Sequence, residues 1–309
     1  MDNTAPEISV IIAAYNVQNY IARAVQSALD QQSVSVEVVV VDDLSTDGTA
    51  DIVSKIHDPR VKLIKLEKNS GAGGARNTAI KAATAPWIAV LDGDDAFAAG
   101  RLQRCLQIAK QTNADIVVDN LEVRNEADGA RTNMFQSKDF GNKPILDLPT
   151  FIAGNSQFLG GTSLGYLKPV FSNPFLNRHQ ITYDPAIRIG EDYMLMAEML
   201  ANGAKCAVDL TAGYSYTVRA GSTSHRFSEE DARRIQQGDA KFLAKYKLDE
   251  VSFKAQEKRS QNLALALAFS RLVMALKNKN FVEACNILLA RPAVLIPLWQ
   301  PIKKRLFIG

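Results

Sequence analysis

Cysteine is scarce. Cys105, Cys206 and Cys285 are the whole complement of a 309-residue chain. They are scattered, with no C-x-x-C spacing, so neither a disulfide frame nor a zinc site is expected, and they read as reduced residues of a cytosolic protein. No uninterrupted apolar run reaches the roughly 20 residues that a membrane-spanning helix needs. The opening Met1-Asp2-Asn3-Thr4-Ala5-Pro6-Glu7 carries acids and no basic stretch, so no secretion signal is expected. A net charge of +3 is too small to suggest a nucleic-acid partner. Internal repeats and low-complexity segments are absent. Histidine is equally sparse, with His57, His179 and His225 the only three.

An apolar fraction of 47% is ample for a globular core. The first half alternates short apolar runs with helical spacings. Ile8–Ala14, Val36–Val41, Val61–Leu66, Trp87–Leu91 and Asp115–Asp119 read as strands. Between them, helices are expected over Asn19–Leu29, from Ser45-Thr46-Asp47-Gly48-Thr49 through Ile56, over Ala75–Ala83 behind a glycine-rich loop at Asn69–Gly74, and over Arg101–Lys110. Such alternation implies parallel βαβ units with right-handed crossovers, hence an α/β fold. Residues 122–170 mix charges, glycines and short apolar pieces and are expected to form antiparallel strands and loops around a cleft. A helix at Glu191–Leu200, a strand at Ala212–Val218, a loop over Arg219–Arg226 and helices near 229–246, 253–278 and 280–290 complete the reading.

The chemistry gathers where strands end, as it does in open parallel sheets. Tyr15-Asn16, Asp42-Asp43 and Asp92-Gly93-Asp94-Asp95 each follow a strand. Three carboxylates within four residues repel one another strongly unless a cation sits among them. Oxygen donors of this kind suit Mg²⁺ or Mn²⁺, which commonly keep substrate phosphates in their shell. A solvated acidic turn or helix cap is the other reading of the same residues.

The stretches ISVIIAAYN (8–16), VVVVDDLSTDGT (38–49), NSGAGGARN (69–77), WIAVLDGDD (87–95), GED (190–192) and RAGSTSHR (219–226) together resemble the family 2 glycosyltransferases of the GT-A fold. The resemblance is carried chiefly by the first hundred residues. It implies a nucleotide-sugar donor, most often a UDP-sugar, bound around Ala13, Tyr15, Asp43, Asn69, Gly74, Arg76, Asp92, Gly93, Asp94, Arg219 and Arg226. Tyr15 would stack on the base, or else pack as a surface tyrosine. Asp43 would accept from uracil N3–H while Asp42 orders the turn. Arg76 would meet the diphosphate or ribose, and Gly71, Gly73 and Gly74 would let backbone amides approach the phosphates. In the family's D-x-D pattern Asp92 holds the ribose and Asp94 the metal, with Asp95 joining through water and His225 as third metal ligand; an exposed loop histidine is the alternative. Asp92, Asp94 and His225 are thus the metal set for Mn²⁺ or Mg²⁺, whose task would be to neutralise the departing nucleoside diphosphate. Asp192 is the implied general base of a one-step inverting transfer; the competing reading is helix-dipole compensation, worth about 0.3–1 kcal/mol. Arg219 and Arg226 would contact the diphosphate when the Ser/Thr/Gly loop closes, and the loop at 160–168 would select the sugar.

The division expected is a GT-A catalytic domain over 1–228, with nucleotide-sugar and acceptor halves meeting near residue 120, and a helical extension over 229–309. Leu263–Leu276 is apolar nearly all round with Arg271 its only charge, so it must be buried in a core or in a homodimer interface. Ala293–Trp299, then Lys303-Lys304-Arg305 and Leu306-Phe307-Ile308, suit a tail on an anionic membrane surface, or one packed on the domain. Bacterial relatives often act on lipid-linked glycans at the cytoplasmic leaflet, so the expected partners are a UDP-sugar, a lipid-linked glycan acceptor in exopolysaccharide synthesis and the inner face of the cell membrane. Membrane spans and a Q-x-x-R-W sequence, which mark the processive synthases, are missing. Two competing readings are an NAD-type oxidoreductase, from Gly71-Ala72-Gly73-Gly74-Ala75-Arg76, and a non-catalytic scaffold.

Overall fold

The computed structural model describes residues 5–155, 163–219 and 228–295. The chain divides into two compact units, Met1–Leu148 with Gly165–Arg226, and Pro149–Leu164 with Phe227–Gly309. The first is a sheet flanked by helices. In chain order it holds β1 (Ile8–Ala14), α1 (Ile21–Leu29), β2 (Val36–Asp42), α2 (Thr49–Ser54), β3 (Val61–Lys65), α3 (Gly71–Ala82), β4 (Trp87–Asp92), β5 (Ala96–Phe97), α4 (Arg101–Thr112), β6 (Ile116–Asn125), β7 (Arg131–Asn133) and β8 (Ile145–Leu146). A short helix at the boundary, α5 (Leu148–Ala153), is followed by β9 (Val170–Ser172), α6 (Asn173–His179), α7 (Glu191–Ala201) and β10 (Cys206–Val218).

The strands run in the order β3-β2-β1-β4-β9-β6-β10-β5, with β7 on β6 and β8 on β10. Ile8, Val10, Ile11 and Ile12 of β1 are fully buried, each contributing about 1.5–3 kcal/mol of apolar burial; a strand covered on both faces needs such a continuous run. Helix α1 buries Ile21, Ala24, Val25, Ala28 and Leu29, a single stripe at helical period. Parallel register sets Ala13 beside both Val41 and Asp92, and Ala14 beside Asp42. The acids after β2 and β4 therefore stand at one end of the sheet.

Three expectations are corrected. The strand expected at Asp115–Asp119 is longer, running from Ile116 to Asn125. The short β9 runs antiparallel between β4 and β6, with Phe171 facing both Ile88 and Ile116. The strand expected from Ala212 starts at Cys206 and changes register around Asp209, Ala212 and Tyr214, because a bulge interrupts the period-2 pattern. Helix α3 begins at Gly71, before the expected Ala75, because Asp43 accepts from the Ser70 and Gly71 amides (2.7 and 2.9 Å) and so closes the helix start.

The second unit contains α8 (Glu229–Lys245), α9 (Glu250–Lys277) and α10 (Phe281–Ala290). Ser228 and Asp231 form a capping box at α8, and Asp249 caps α9 through the Ser252 amide. Ala232 and Ile235 pack with Leu263 and Leu267. Leu272, Ala275, Ala284 and Val294 form a second cluster. Within one chain the Leu263–Leu276 segment buries Leu263, Leu267, Leu272 and Ala275, whereas Met274 and Leu276 face solvent and Arg271 pairs with Glu229. Among the described residues no helix is long and apolar enough to cross a membrane. The tail from 296, including Trp299 and Lys303-Lys304-Arg305, lies outside the described residues.

Candidate active site

The end of β4 and the start of α7 meet over two buried cations. Arg76 donates from Nη2 to Asp92 Oδ1 (2.5 Å) and from Nη1 to Glu191 Oε1 and Asp192 Oδ1 (2.8 Å each). Lys168 Nζ lies 2.8 Å from Asp92 Oδ2 and 2.8 Å from Asp192 Oδ2. Asp92 and Asp192 are thus bridged twice, and the four side chains close a ring. Tyr183 completes the site: its hydroxyl donates to Asp192 Oδ1 (3.2 Å) and its ring lies under the Arg76 guanidinium, 5.5 Å from carbon to centroid.

Each member is placed by its own element. Gly190 takes φ +87° to turn the chain into α7, a conformation glycine adopts without penalty. That puts Glu191 and Asp192 in the first turn, where the helix dipole favours a carboxylate. Arg76 lies on the buried face of α3 with Gly73 and Ala79. Asn77, the next residue, clamps the Tyr183 backbone with two hydrogen bonds of 2.8 and 2.9 Å. A Cβ at Gly73 would stand 3.3 Å from Tyr183 Cβ, so the bare helix surface is what admits that tyrosine. Lys168 precedes β9, and its carbonyl accepts from Arg101 Nη2 at 2.6 Å. Arg101 is itself fully buried and forked onto Asp119 at 2.8 Å through both Nε and Nη2.

Electrostatics follow from this packing. Burial alone would push Asp92 toward its neutral form, but Lys168 and Arg76 outweigh it and hold the carboxyl below the usual carboxylate range. Burial favours a neutral Lys168, yet Asp192 and Asp92 keep it charged well above the ordinary amine range. Glu191 is raised, first by burial and then by Asp192.

The Asp92–Asp95 turn is held from β10. The Tyr214 hydroxyl accepts from the Asp92 amide (3.0 Å) and donates to Asp95 Oδ2 (2.8 Å), and the Thr217 amide donates to Asp95 Oδ1 (2.7 Å). Burial, then Asp92 and Asp94, raise Asp95 well above the usual range. Arg23 ties Thr217 Oγ1 to the Asp94 carbonyl (2.9 and 2.6 Å). Arg219 donates from Nε to Asp94 Oδ2 at 2.8 Å and stacks on Tyr20. Gly93 sits where a Cβ would press on Val17 at 3.0 Å.

The sequence-expected residues divide accordingly. Asp92, Asp94, Asp192 and Arg219 come together. Arg76, expected on a diphosphate or ribose, instead turns inward to three carboxylates. Gly74 lies within α3, where a Cβ would overlap the Ser70 side chain at 2.6 Å. Gly73 and Gly74 thus serve close packing and Gly71 a positive φ (+73°) at the helix start, which removes the basis of the dinucleotide reading. Asp43 takes three donors, the Ser70 amide and hydroxyl and the Gly71 amide, and Asn69 donates to the Asp43 carbonyl at 3.0 Å. Asp42 accepts from the Ser45 amide, ordering the turn. Tyr15 is 51% exposed beside them, as a stacking surface must be. His225 and Arg226 lie outside the described residues, as do residues 160–162 of the loop expected to select the sugar. Lys168, Tyr183, Tyr214, Thr217 and Arg23 were missed. A lysine inside the apolar run Tyr166–Phe171 was the available signal, since a buried ammonium requires partners.

Among the described residues no three His, Cys, Asp or Glu side chains converge as a metal cage. Asp92 spends both oxygens on cations, whereas Asp94, part-exposed at the turn, has the hard oxygen chemistry that a divalent ion takes from one or two carboxylates plus substrate phosphates. The donor set fits an ion that arrives with a diphosphate.

Residues 9–173 match the pattern of glycosyl transferase family 2. Over 301 residues, 97% of this chain and 86% of the other, the sequence is 44% identical to the succinoglycan biosynthesis protein ExoO of Rhizobium meliloti. It is 32% identical over 72% of this chain and 82% of the other to the UDP-Glc:alpha-D-GlcNAc-diphosphoundecaprenol beta-1,3-glucosyltransferase WfaP of Escherichia coli. The crystal structure of S. aureus TarS 1–349 in complex with UDP-GlcNAc covers 91% of this chain and 79% of that one with a TM-score of 0.68 at 23% identity, a likeness of fold. The expected GT-A architecture with a helical carboxyl-terminal region is the one found.

Proposed function

The chain belongs to glycosyl transferase family 2, and we propose that this glycosyltransferase moves a sugar from a UDP-sugar to a lipid-linked glycan, with inversion, in exopolysaccharide biosynthesis at the inner face of the cell membrane. The observation that carries the proposal is the double bridge between Asp92 and Asp192. It ties the acid at the β4 end, which this reading puts on the donor side, to the carboxylate at the start of α7, which it makes the base for the acceptor.

In this reading Tyr15 stacks on the uracil. A carboxylate offers about four acceptor directions, and Asp43 gives three to α3, leaving one for the base N3–H. Asp94 would hold Mg²⁺ or Mn²⁺, which when bound would neutralise charge on the leaving diphosphate. Arg219, stacked on Tyr20, exchanges Asp94 for phosphate oxygens. Asp192 takes the proton from the acceptor hydroxyl. The acceptor oxygen bonds to the anomeric carbon as the bond from that carbon to the diphosphate oxygen breaks, and UDP departs with the electron pair. One base and an assisted leaving group suffice, with no enzyme nucleophile. The relatives named above support a UDP-sugar, an undecaprenyl-diphosphate acceptor and an exopolysaccharide setting.

The test is transfer from a panel of UDP-sugars to a lipid-diphosphate sugar acceptor, with Mn²⁺, with Mg²⁺ and with EDTA. Expected are metal-dependent transfer and a β-linked product from an α-linked donor, read by NMR. An α-linked product would overturn the inverting assignment, and undiminished turnover in EDTA would overturn the metal.

A further inference from the structure

Helix α10 is apolar on its outward face as well as on its inward one. Ala284, Ile287 and Leu288 pack against α9. Phe281, Val282, Cys285 and Leu289, which at 100° per residue share an arc of about 100°, face solvent. Phe281 is 64% exposed, Val282 74% and Leu289 81%. No charge interrupts this stripe, and Met274, Leu276 and Leu295, in the flanking segments, are also exposed. Apolar side chains gathered on one exposed face mark an interaction site. What surrounds the stripe identifies the partner. Lys277 and Lys279 precede α10 and Arg291 follows it, all three exposed, and the sequence goes on to Trp299 and Lys303-Lys304-Arg305. An apolar stripe framed by cations complements anionic headgroups over an acyl layer. A second copy of the same face would oppose cations to cations.

We propose that α10 is a membrane-docking helix that lays Phe281, Val282, Cys285 and Leu289 into the headgroup boundary of an anionic bilayer. The inference rests on the lipid-linked acceptor proposed above, since it puts the protein on the surface that carries such a substrate. The docking is separable from catalysis, because every residue of the stripe belongs to the helical unit.

Cys285 supplies the probe. It is the exposed cysteine, whereas Cys105 and Cys206 are buried. The full-length protein, labelled at Cys285 with an environment-sensitive fluorophore, is titrated with phosphatidylglycerol/phosphatidylcholine vesicles and with pure phosphatidylcholine vesicles, neither containing acceptor or UDP-sugar. Expected are a blue shift and co-flotation with the anionic vesicles only. The triple substitution Phe281→Ser/Val282→Ser/Leu289→Ser, its fold checked by circular dichroism and UDP binding, should weaken flotation by about tenfold or more, as loss of three inserted side chains requires. No shift with anionic vesicles, or flotation unchanged in the triple variant, overturns the proposal. So does a shift that grows with protein concentration without lipid, which assigns the stripe to a second copy. Docking without transfer in the donor panel would leave the α10 assignment standing and count against the catalytic reading instead.

Discussion

Lys168 and Asp192 form a buried ion pair, Nζ to Oδ2 2.8 Å, and the same ammonium reaches Asp92 at 2.8 Å. One lysine therefore sets the spacing between the strand that ends in the D-x-D acids and the helix that begins with the proposed base. It is held from behind as well, since its carbonyl accepts from buried Arg101. A base that must meet an acceptor hydroxyl needs such placement, because small errors in geometry cost large factors in rate.

Replacing Lys168 with methionine keeps the stem and removes the charge. Arg76 alone then bridges the two carboxylates, and removing one partner of a buried pair typically costs about 3–5 kcal/mol. Turnover should fall by about 10² or more while the donor KM changes little, because the base is misplaced and the uridine contacts are not. Lys168→Arg should recover part of the loss, its fork being wider than an ammonium. Steady-state rates and a thermal melt check this; equal losses in kcat and in UDP affinity would assign Lys168 to the donor site.

Asp192→Asn retains the shape and the Tyr183 contact but cannot take a proton. Transfer should drop by about 10²–10⁴, the usual worth of a general base, with UDP affinity by calorimetry unchanged. Wild-type turnover in this variant would remove Asp192 from its role.

Strands β1 and β4 were legible because a doubly covered strand writes itself as an unbroken apolar run, and the acids behind them because polar residues abruptly end that run. Asp192 was legible only through the Gly-Glu-Asp triplet. Lys168 was legible only as a charge inside an apolar run, since nothing local in Leu167-Lys168-Pro169 says which partners it has, two carboxylates 76 and 24 residues away. Arg76 was legible as important but its direction was not: its partners include α7, far along the chain. The insertion of β9 between β4 and β6 is a tertiary fact of the same kind, three residues whose own pattern specifies no neighbour.

Acid stability should depend on Glu37. Burial opposes its ionisation, but the Ser9 hydroxyl (2.5 Å), the Thr84 amide and hydroxyl (2.6 and 2.8 Å) and the Ala85 amide (3.2 Å) donate to Oε1 and hold its carboxyl below the usual range. A depressed folded-state value means the unfolded chain binds the proton first. The contribution is therefore present at neutral pH and is lost as pH falls from about 4.5 through the folded-state value. Glu37→Gln should lower Tm at pH 7 and flatten the descent of Tm between about pH 5 and 3. Parallel Tm curves for the two proteins would show that the carboxylate carries no such linkage.

Gly213 tests the chain of support behind Lys168. The glycine lies at the bulge of β10, and a Cβ there would overlap Asp119 Oδ2, while standing 2.6 Å from Arg104 Nη2 and 2.8 Å from Arg101 Cγ. Asp119 and Arg101 belong to the buried network in which Arg101 grips Asp119 and the Lys168 carbonyl, and part-exposed Arg104 borders it, 3.6 Å from Asp119. Buried ion pairs have no slack, because a displaced charge is left without its partner in a medium that solvates it poorly. Gly213→Ala should therefore cost about 3 kcal/mol or more in stability, and the folded fraction should lose turnover in the manner of Lys168→Met, with kcat falling more than donor affinity. Arg101→Leu, which removes the anchor without adding a clash, should repeat that kinetic signature. If Gly213→Ala melts early but the surviving enzyme turns over normally, and Arg101→Leu does the same, the network supports the fold alone and Lys168 finds its place without it.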